Sequence, residues 1–162
     1  MSAMRSAWLG AWVVALVMLN YTLRPFLGWR VQVDFLVIAL LLVAVRARPA
    51  VAAVLGLAVG LATDALAPES FGAGALAMTV VGFAASWLKA AFFTENLTLN
   101  GIFLFAGKWA FDIVYLLASR RMHGSDLLAQ LVWWSPLAAA LTAVAGLLVL
   151  VWSRPSAPGR RP

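Results

Sequence analysis

Long, uninterrupted apolar blocks constrain this chain more than any other feature of its sequence. Of the 162 residues, 64% are hydrophobic and 11% are charged, whereas a soluble domain has about 25% charged residues. Apolar and polar residues do not alternate, so the blocks predict helices and argue against barrel strands. Because a spanning helix needs about 20 mostly apolar residues, the chain has room for about six. We therefore expect an all-α integral membrane protein without a soluble domain.

Charged residues, prolines and glycines divide the sequence into predicted spans. These cover residues 7–23, 33–45, 50–66, 71–88, 97–117 and 127–152. Residues 1–152 would form a single six-helix bundle whose first span is not cleaved, and residues 153–162 a disordered cytoplasmic tail. Pro136 leaves two alternatives for the last block, an interfacial segment followed by a span or one tilted, kinked helix. Ser125 or Asp126 is expected to cap this block.

Basic residues at the ends of the spans predict the orientation in the membrane. Six spans place both termini on one side, together with seven flanking basic residues; the other side receives four, namely Arg24, Arg30, Arg120 and Arg121. The excess predicts cytoplasmic termini. The net charge of +6 is explained by this topology, so no nucleic-acid partner is expected.

The sequence lacks the residues and motifs that disulfides, metal sites and several classes of enzyme require. There is no cysteine, and His123 is the single histidine, so neither disulfides nor a thiolate metal site is expected. The sequence also lacks a P-loop, a GxSxG motif and an HExxH motif. We expect no catalytic residues, no metal and no cofactor.

Ionisable residues inside spans are costly and are therefore candidate functional sites. Lys108 and Asp112 lie four residues apart in the fifth span, so they share a helix face and are predicted to form an intramembrane ion pair. That pair has two interpretations, a structural contact inside the bundle or part of an ion or proton relay. Asp34 and Asp64 are predicted near the outer face, where they would brace helix ends beside Arg24 or Arg30, or line an outward pocket.

Stripes of small residues predict close helix packing, either within the bundle or against a partner helix. They comprise Ala7, Ala11 and Ala15 on the first span, Gly56 and Gly60 on the third, and Gly72 and Gly74 at the start of the fourth.

Three linked segments resemble the MreD family of rod shape-determining proteins. Residues 34–37 (DFLV) open a short second span, and Val33 stands where the family usually has proline. Residues 56–66 (GLAVGLATDAL) are similar to the family's Gly-x-x-x-Gly-Leu-x-x-Asp stretch, and residues 71–76 (FGAGAL) to its turn into the fourth span. Chain length and hydropathy fit throughout.

The resemblance implies a non-catalytic scaffold in the bacterial inner membrane. Such a protein binds MreC, within the elongation complex that couples the actin-like MreB to peptidoglycan synthesis by RodA and its penicillin-binding transpeptidase. Asp34 and Asp64 match the family's acidic positions. The family's fold is also similar to that of the substrate-binding subunits of energy-coupling-factor vitamin transporters, which implies an outward-facing pocket.

A vitamin-binding subunit of such a transporter is therefore the alternative function. Those subunits use an alanine stripe on the first helix for docking, similar to Ala7, Ala11 and Ala15. The loop before the second span offers few polar and aromatic residues, namely Trp29, Arg30 and Gln32. A ligand pocket usually needs several convergent polar groups. An unrelated transporter or channel is a third possibility, although no inverted repeat supports it.

Overall fold

The computed structural model describes residues 33–66, 68–92, 96–120 and 124–153. All regular structure in these ranges is helical: α1 (Phe35–Ala44), α2 (Pro49–Asp64), a short 3₁₀ turn (Pro68–Ser70), α3 (Ala73–Phe92), α4 (Leu97–Ser119), α5 (Ser125–Ala129), a π-helical turn (Gln130–Trp134) and α6 (Ser135–Ser153). The predicted first span with Ala7, Ala11 and Ala15, the Trp29–Arg30 loop and the predicted tail beyond Ser153 lie outside the described residues.

Two of these helices are long and apolar enough to cross a membrane. They are α4, with 23 residues, and the continuous helix Ser125–Trp152, with 28 residues; α1, α2 and α3 are apolar but give shorter segments. The core helix of a soluble protein is mostly buried, but here only 22% and 39% of the most apolar windows are buried. The two helices are therefore compatible with a membrane protein.

Helix α1 is short and lies inside the bundle. Eight of its ten residues are buried, and Val37, Ile38 and Leu41 are fully enclosed. A helix that is apolar on every face is expected to be buried on every face. The main hydrophobic core joins α1 to residues of α2, α3, α4 and α6, such as Ala52, Met78 and Leu104.

Helices α2 and α3 pack with their backbones in contact. A Cβ atom added at Gly56 would lie 2.7 Å from the carbonyl carbon of Met78, and one at Gly60 would lie 2.7 Å from the backbone nitrogen of Ala75. Gly82 makes the reciprocal approach from α3, because its added Cβ would lie 2.7 Å from the carbonyl oxygen of Ala52. The Gly56–Gly60 stripe is thus used for packing within the bundle.

The last apolar block forms one continuous helix through Pro136, which matches the single-helix alternative. Its N-cap is Gly124, with φ 63°, and no side chain caps it. The prediction that Ser125 or Asp126 caps this helix is therefore wrong, because both residues fall inside its first turn. Upstream of Pro136, the backbone widens into the π turn, and the Ser135 N–H bonds to the carbonyl of Gln130.

Candidate functional site

Three charged side chains meet inside the bundle, and we call them the Asp34–Lys108–Asp112 cluster. The Lys108 Nζ lies 2.5 Å from Asp112 Oδ1 and 3.4 Å from Asp34 Oδ2. The side chains of Lys108, Asp112 and Asp34 are 7%, 13% and 21% exposed. One buried ammonium group thus contacts two carboxylates.

Three helices position this cluster. Lys108 and Asp112 are one turn apart on α4 and therefore share a face. Asp34 is the N-cap of α1, where its carboxylate accepts a hydrogen bond from the Val37 N–H at 3.3 Å. The Asp34 N–H donates to Thr142 Oγ1 on α6 at 3.3 Å.

Asp112 also faces α6, where the Ser135 hydroxyl group lies close enough to interact with its carboxylate. On the other side of the lysine, Nζ lies 4.9 Å from the centroid of the Phe111 ring, within the range of a cation–π contact. Each charge in the cluster therefore has several polar or aromatic partners.

The cluster lies about halfway along α4, because Lys108 is the twelfth of its 23 residues. Helix α1 has ten residues, so it is ~15 Å long, about half the ~30 Å thickness of a hydrocarbon core. Since Asp34 contacts Lys108, α1 begins level with the middle of α4 and runs toward the end of the bundle that carries Arg46 and Arg48.

Asp34 caps the start of α1, in agreement with the prediction that it braces a helix end. The sequence pattern places it near the outer face beside Arg24 or Arg30, which lie outside the described residues. Besides the Val37 N–H, its side-chain partners within the described ranges are Lys108 and Thr142, which lie 74 and 108 positions away along the chain. No local spacing signals a contact over such separations.

Asp64 forms a second polar site, at the turn between α2 and α3. The residue is buried, and its Oδ2 accepts hydrogen bonds from the backbone N–H groups of Gly72 and Ala75, both at 2.9 Å. A Cβ atom added at Gly74 would collide with the same carboxylate. Asp64 therefore braces this turn.

The remaining predicted packing residue, Gly72, has φ 93° and no atom within 4 Å of an added Cβ. Its role is conformational, since side-chain-bearing residues rarely adopt a positive φ. Near the same turn, the hydroxyl groups of Ser70 and Tyr115 lie 3.1 Å apart and tie it to α4.

The opposite end of the bundle has its own polar contact, which the sequence pattern did not signal. The carbonyl oxygen of Ala47 accepts hydrogen bonds from the Ser86 hydroxyl at 2.8 Å and from Lys89 Nζ at 2.7 Å. Both donors lie on α3, so the α1–α2 connection is held against that helix.

An open apolar groove lies between α4 and α6. Its lining residues are Leu97, Thr98, Gly101, Ile102, Phe105 and Leu147. The groove is separate from both acidic sites, and Thr98 is its one polar side chain.

Across the described ranges, the buried polar side chains all have hydrogen-bond partners. No group of three or more His, Cys, Asp or Glu residues is arranged there to hold a metal. The arrangement is suited to holding helices together. No protein-family model, curated protein or solved structure matches the chain.

Proposed function

We propose that this chain is a non-catalytic, multi-pass scaffold protein of the bacterial cell-elongation machinery. In this proposal it lies in the inner membrane as a six-helix bundle with both termini in the cytoplasm. It binds MreC and supports rod shape and peptidoglycan synthesis by RodA and its penicillin-binding transpeptidase. The observation that carries the proposal is that each of the MreD-like segments supplies a contact between helices.

Those contacts join the segments into one frame. Asp34, from the first segment, connects α1 to α4 and α6. Gly56, Gly60 and Asp64, from the second segment, bring α2 against α3 and brace the following turn. From the third segment, Gly72 lies in that turn, and Gly74 lies in the first turn of α3 against Asp64. A rigid frame of this kind suits a protein whose work is to hold partners in the membrane.

The exposed surface supports a membrane location. Large apolar side chains are exposed along α2, α3, α4 and α6, including Val54, Phe83, Trp87, Leu117 and Leu148. Lipid tails accept such side chains, whereas apolar patches of this extent are rare on soluble monomers.

The arrangement of the buried polar groups fits a scaffold protein better than a small-molecule carrier. Ligand pockets usually present a few convergent polar groups in an apolar cleft. The groove between α4 and α6 offers Thr98 alone, and the carboxylates of Asp34, Asp64 and Asp112 already bond to groups of the protein.

Copurification from the native host tests the proposal. The tagged full-length protein is solubilised in mild detergent, and the proteins that accompany it are identified by mass spectrometry. Recovery of MreC, with or without RodA, is the expected result. Recovery of a transmembrane coupling protein with two ATPase subunits would overturn it in favour of the vitamin-transporter alternative.

Variants extend this experiment to the two acidic sites. We expect Asp34→Ala and Asp64→Ala to reduce MreC recovery and to round the cells, because both changes loosen the frame. Asp126→Ala is the matched control, since Asp126 is exposed at the start of α5. If both frame variants retain full partner recovery and rod shape, these carboxylates have no part in the function.

A further inference from the structure

Among the described residues, the Asp34–Lys108–Asp112 cluster has one more carboxylate than it has cations. Two carboxylates share a single ammonium group, at 3.4 Å and 2.5 Å. With all three groups ionised, the cluster carries a net charge of −1 in the interior of an apolar bundle. An uncompensated charge at that depth is strongly disfavoured in a membrane.

No other described helix supplies the missing positive charge. The charged residue of α2 is Asp64, which bonds to the Gly72 and Ala75 amides. That of α3 is Lys89, which bonds to the Ala47 carbonyl at the opposite end. Helix α6 has no charged residue, and it faces the cluster with the hydroxyl groups of Ser135 and Thr142.

The remaining titratable group near the cluster on α4 is Tyr115, whose hydroxyl group pairs with that of Ser70. The simplest species that restores neutrality is a proton on one of the two carboxylates. Because both carboxylates contact the same ammonium group, their protonation is coupled, and the proton belongs to the pair and not to one residue.

The cluster is not completely enclosed by the described residues. Asp34 is the most exposed member of the cluster, with 21% of its side chain accessible, compared with 7% for Lys108. It precedes the half-length helix α1, which leaves the cluster toward the opposite end.

We propose that Asp34 and Asp112 together form a binding site for one exchangeable proton beside Lys108, with Asp34 as the point of exchange with water. When the proton binds, a carboxylate becomes a carboxylic acid, and the cluster becomes neutral. When the proton leaves, the second carboxylate competes for Lys108. Because these groups link α1, α4 and α6, proton occupancy is coupled to the packing of the three helices.

This proposal depends on the membrane-bundle part of the proposed function and not on the role in cell elongation. The test is infrared spectroscopy of the purified protein in lipid nanodiscs, with aspartate carboxyl carbons labelled with ¹³C. We expect a protonated carboxyl band that shifts with the label, shifts again in D₂O and disappears as the pH is raised. The measurement needs no elongation partner, so failed MreC copurification and a failed titration are separate outcomes.

Variants assign the band to the cluster. Asp34→Asn and Asp112→Asn each leave one carboxylate paired with Lys108, so each should abolish this band. Asp126→Asn, which changes an exposed carboxylate, should leave it unchanged. Tryptophan fluorescence and size-exclusion profiles show which variants are folded, and the labelled wild-type spectrum is informative even where a variant is not.

Three results would overturn the proposal. The first is a folded wild-type protein with no protonated aspartate across the pH range, as expected if a cation outside the described residues neutralises the cluster. The second is a band that survives both cluster variants and disappears in Asp64→Asn. The third is a band that responds to sodium concentration at constant pH, which would identify a metal-cation site.

Discussion

The indole nitrogen of Trp109 lies 3.4 Å from the carbonyl oxygen of Leu131 and donates a hydrogen bond to it. The π turn leaves this carbonyl without its usual partner, because the Ser135 N–H bonds to Gln130 and Pro136 has no N–H. A backbone carbonyl without a partner is costly in lipid. Trp109 therefore stabilises the π turn from the neighbouring helix.

Replacing this indole by a ring without a donor should weaken the contact between α4 and the π turn. We expect Trp109→Phe to lower the free energy of unfolding by about 1 kcal/mol, as for hydrogen bonds between membrane helices. Reversible denaturation in mixed micelles measures the change. Trp133→Phe is the control, since Trp133 is largely exposed; equal effects of the two variants would contradict the assignment.

Adding a methyl group between α2 and α3 should separate two backbones that now touch. Gly60→Ala places its Cβ 2.7 Å from the Ala75 nitrogen, and overpacking of this kind costs about 1–3 kcal/mol or more. We expect a lower melting temperature and a lower yield of monodisperse protein. Ala58→Val, on the exposed side of α2, should have little effect. A Gly60→Ala protein as stable as the wild type would show that α2 and α3 lie farther apart than in the structure described above.

The helices within the described residues were predictable, because their apolar blocks are long and end at charged, proline or glycine residues. The predicted 97–117 segment, for example, is observed as Leu97–Ser119. The contact between Lys108 and Asp112 also follows from local spacing alone, since helical residues four apart share a face.

The arrangement in space was not predictable in the same way. Asp34 meets Lys108 across 74 positions, and the central location of α1 depends on how the other helices surround it. The π turn has a local signal in Pro136, but the carbonyl that it frees is bonded by Trp109, on another helix. Such contacts follow from tertiary packing, which periodicity in one segment does not encode.

The hydrogen bonds that Asp64 makes to the α2–α3 turn should require glycine at position 74. Asp64→Ala leaves the N–H groups of Gly72 and Ala75 without their acceptor, so we expect a loss of about 2–3 kcal/mol. Gly74→Ala should lower the stability by a similar amount, because its Cβ would collide with the Asp64 carboxylate. In the double variant the collision is gone, so the two losses should be less than additive. Additive losses would show that the two residues act independently.

Removing the Lys108 ammonium group should destabilise the protein more than exchanging the positions of Lys108 and Asp112. Lys108→Met leaves Asp34 and Asp112 as two buried carboxylates without a cation, and breaking a buried ion pair in this way costs about 3–5 kcal/mol. Protonation of the carboxylates relieves the repulsion, so the loss should shrink as the pH falls. The double variant Lys108→Asp/Asp112→Lys keeps the charges of the pair on the same face of α4 and should recover part of the stability. Denaturation at several pH values tests both expectations, and a loss that is independent of pH would show that charge is not its cause.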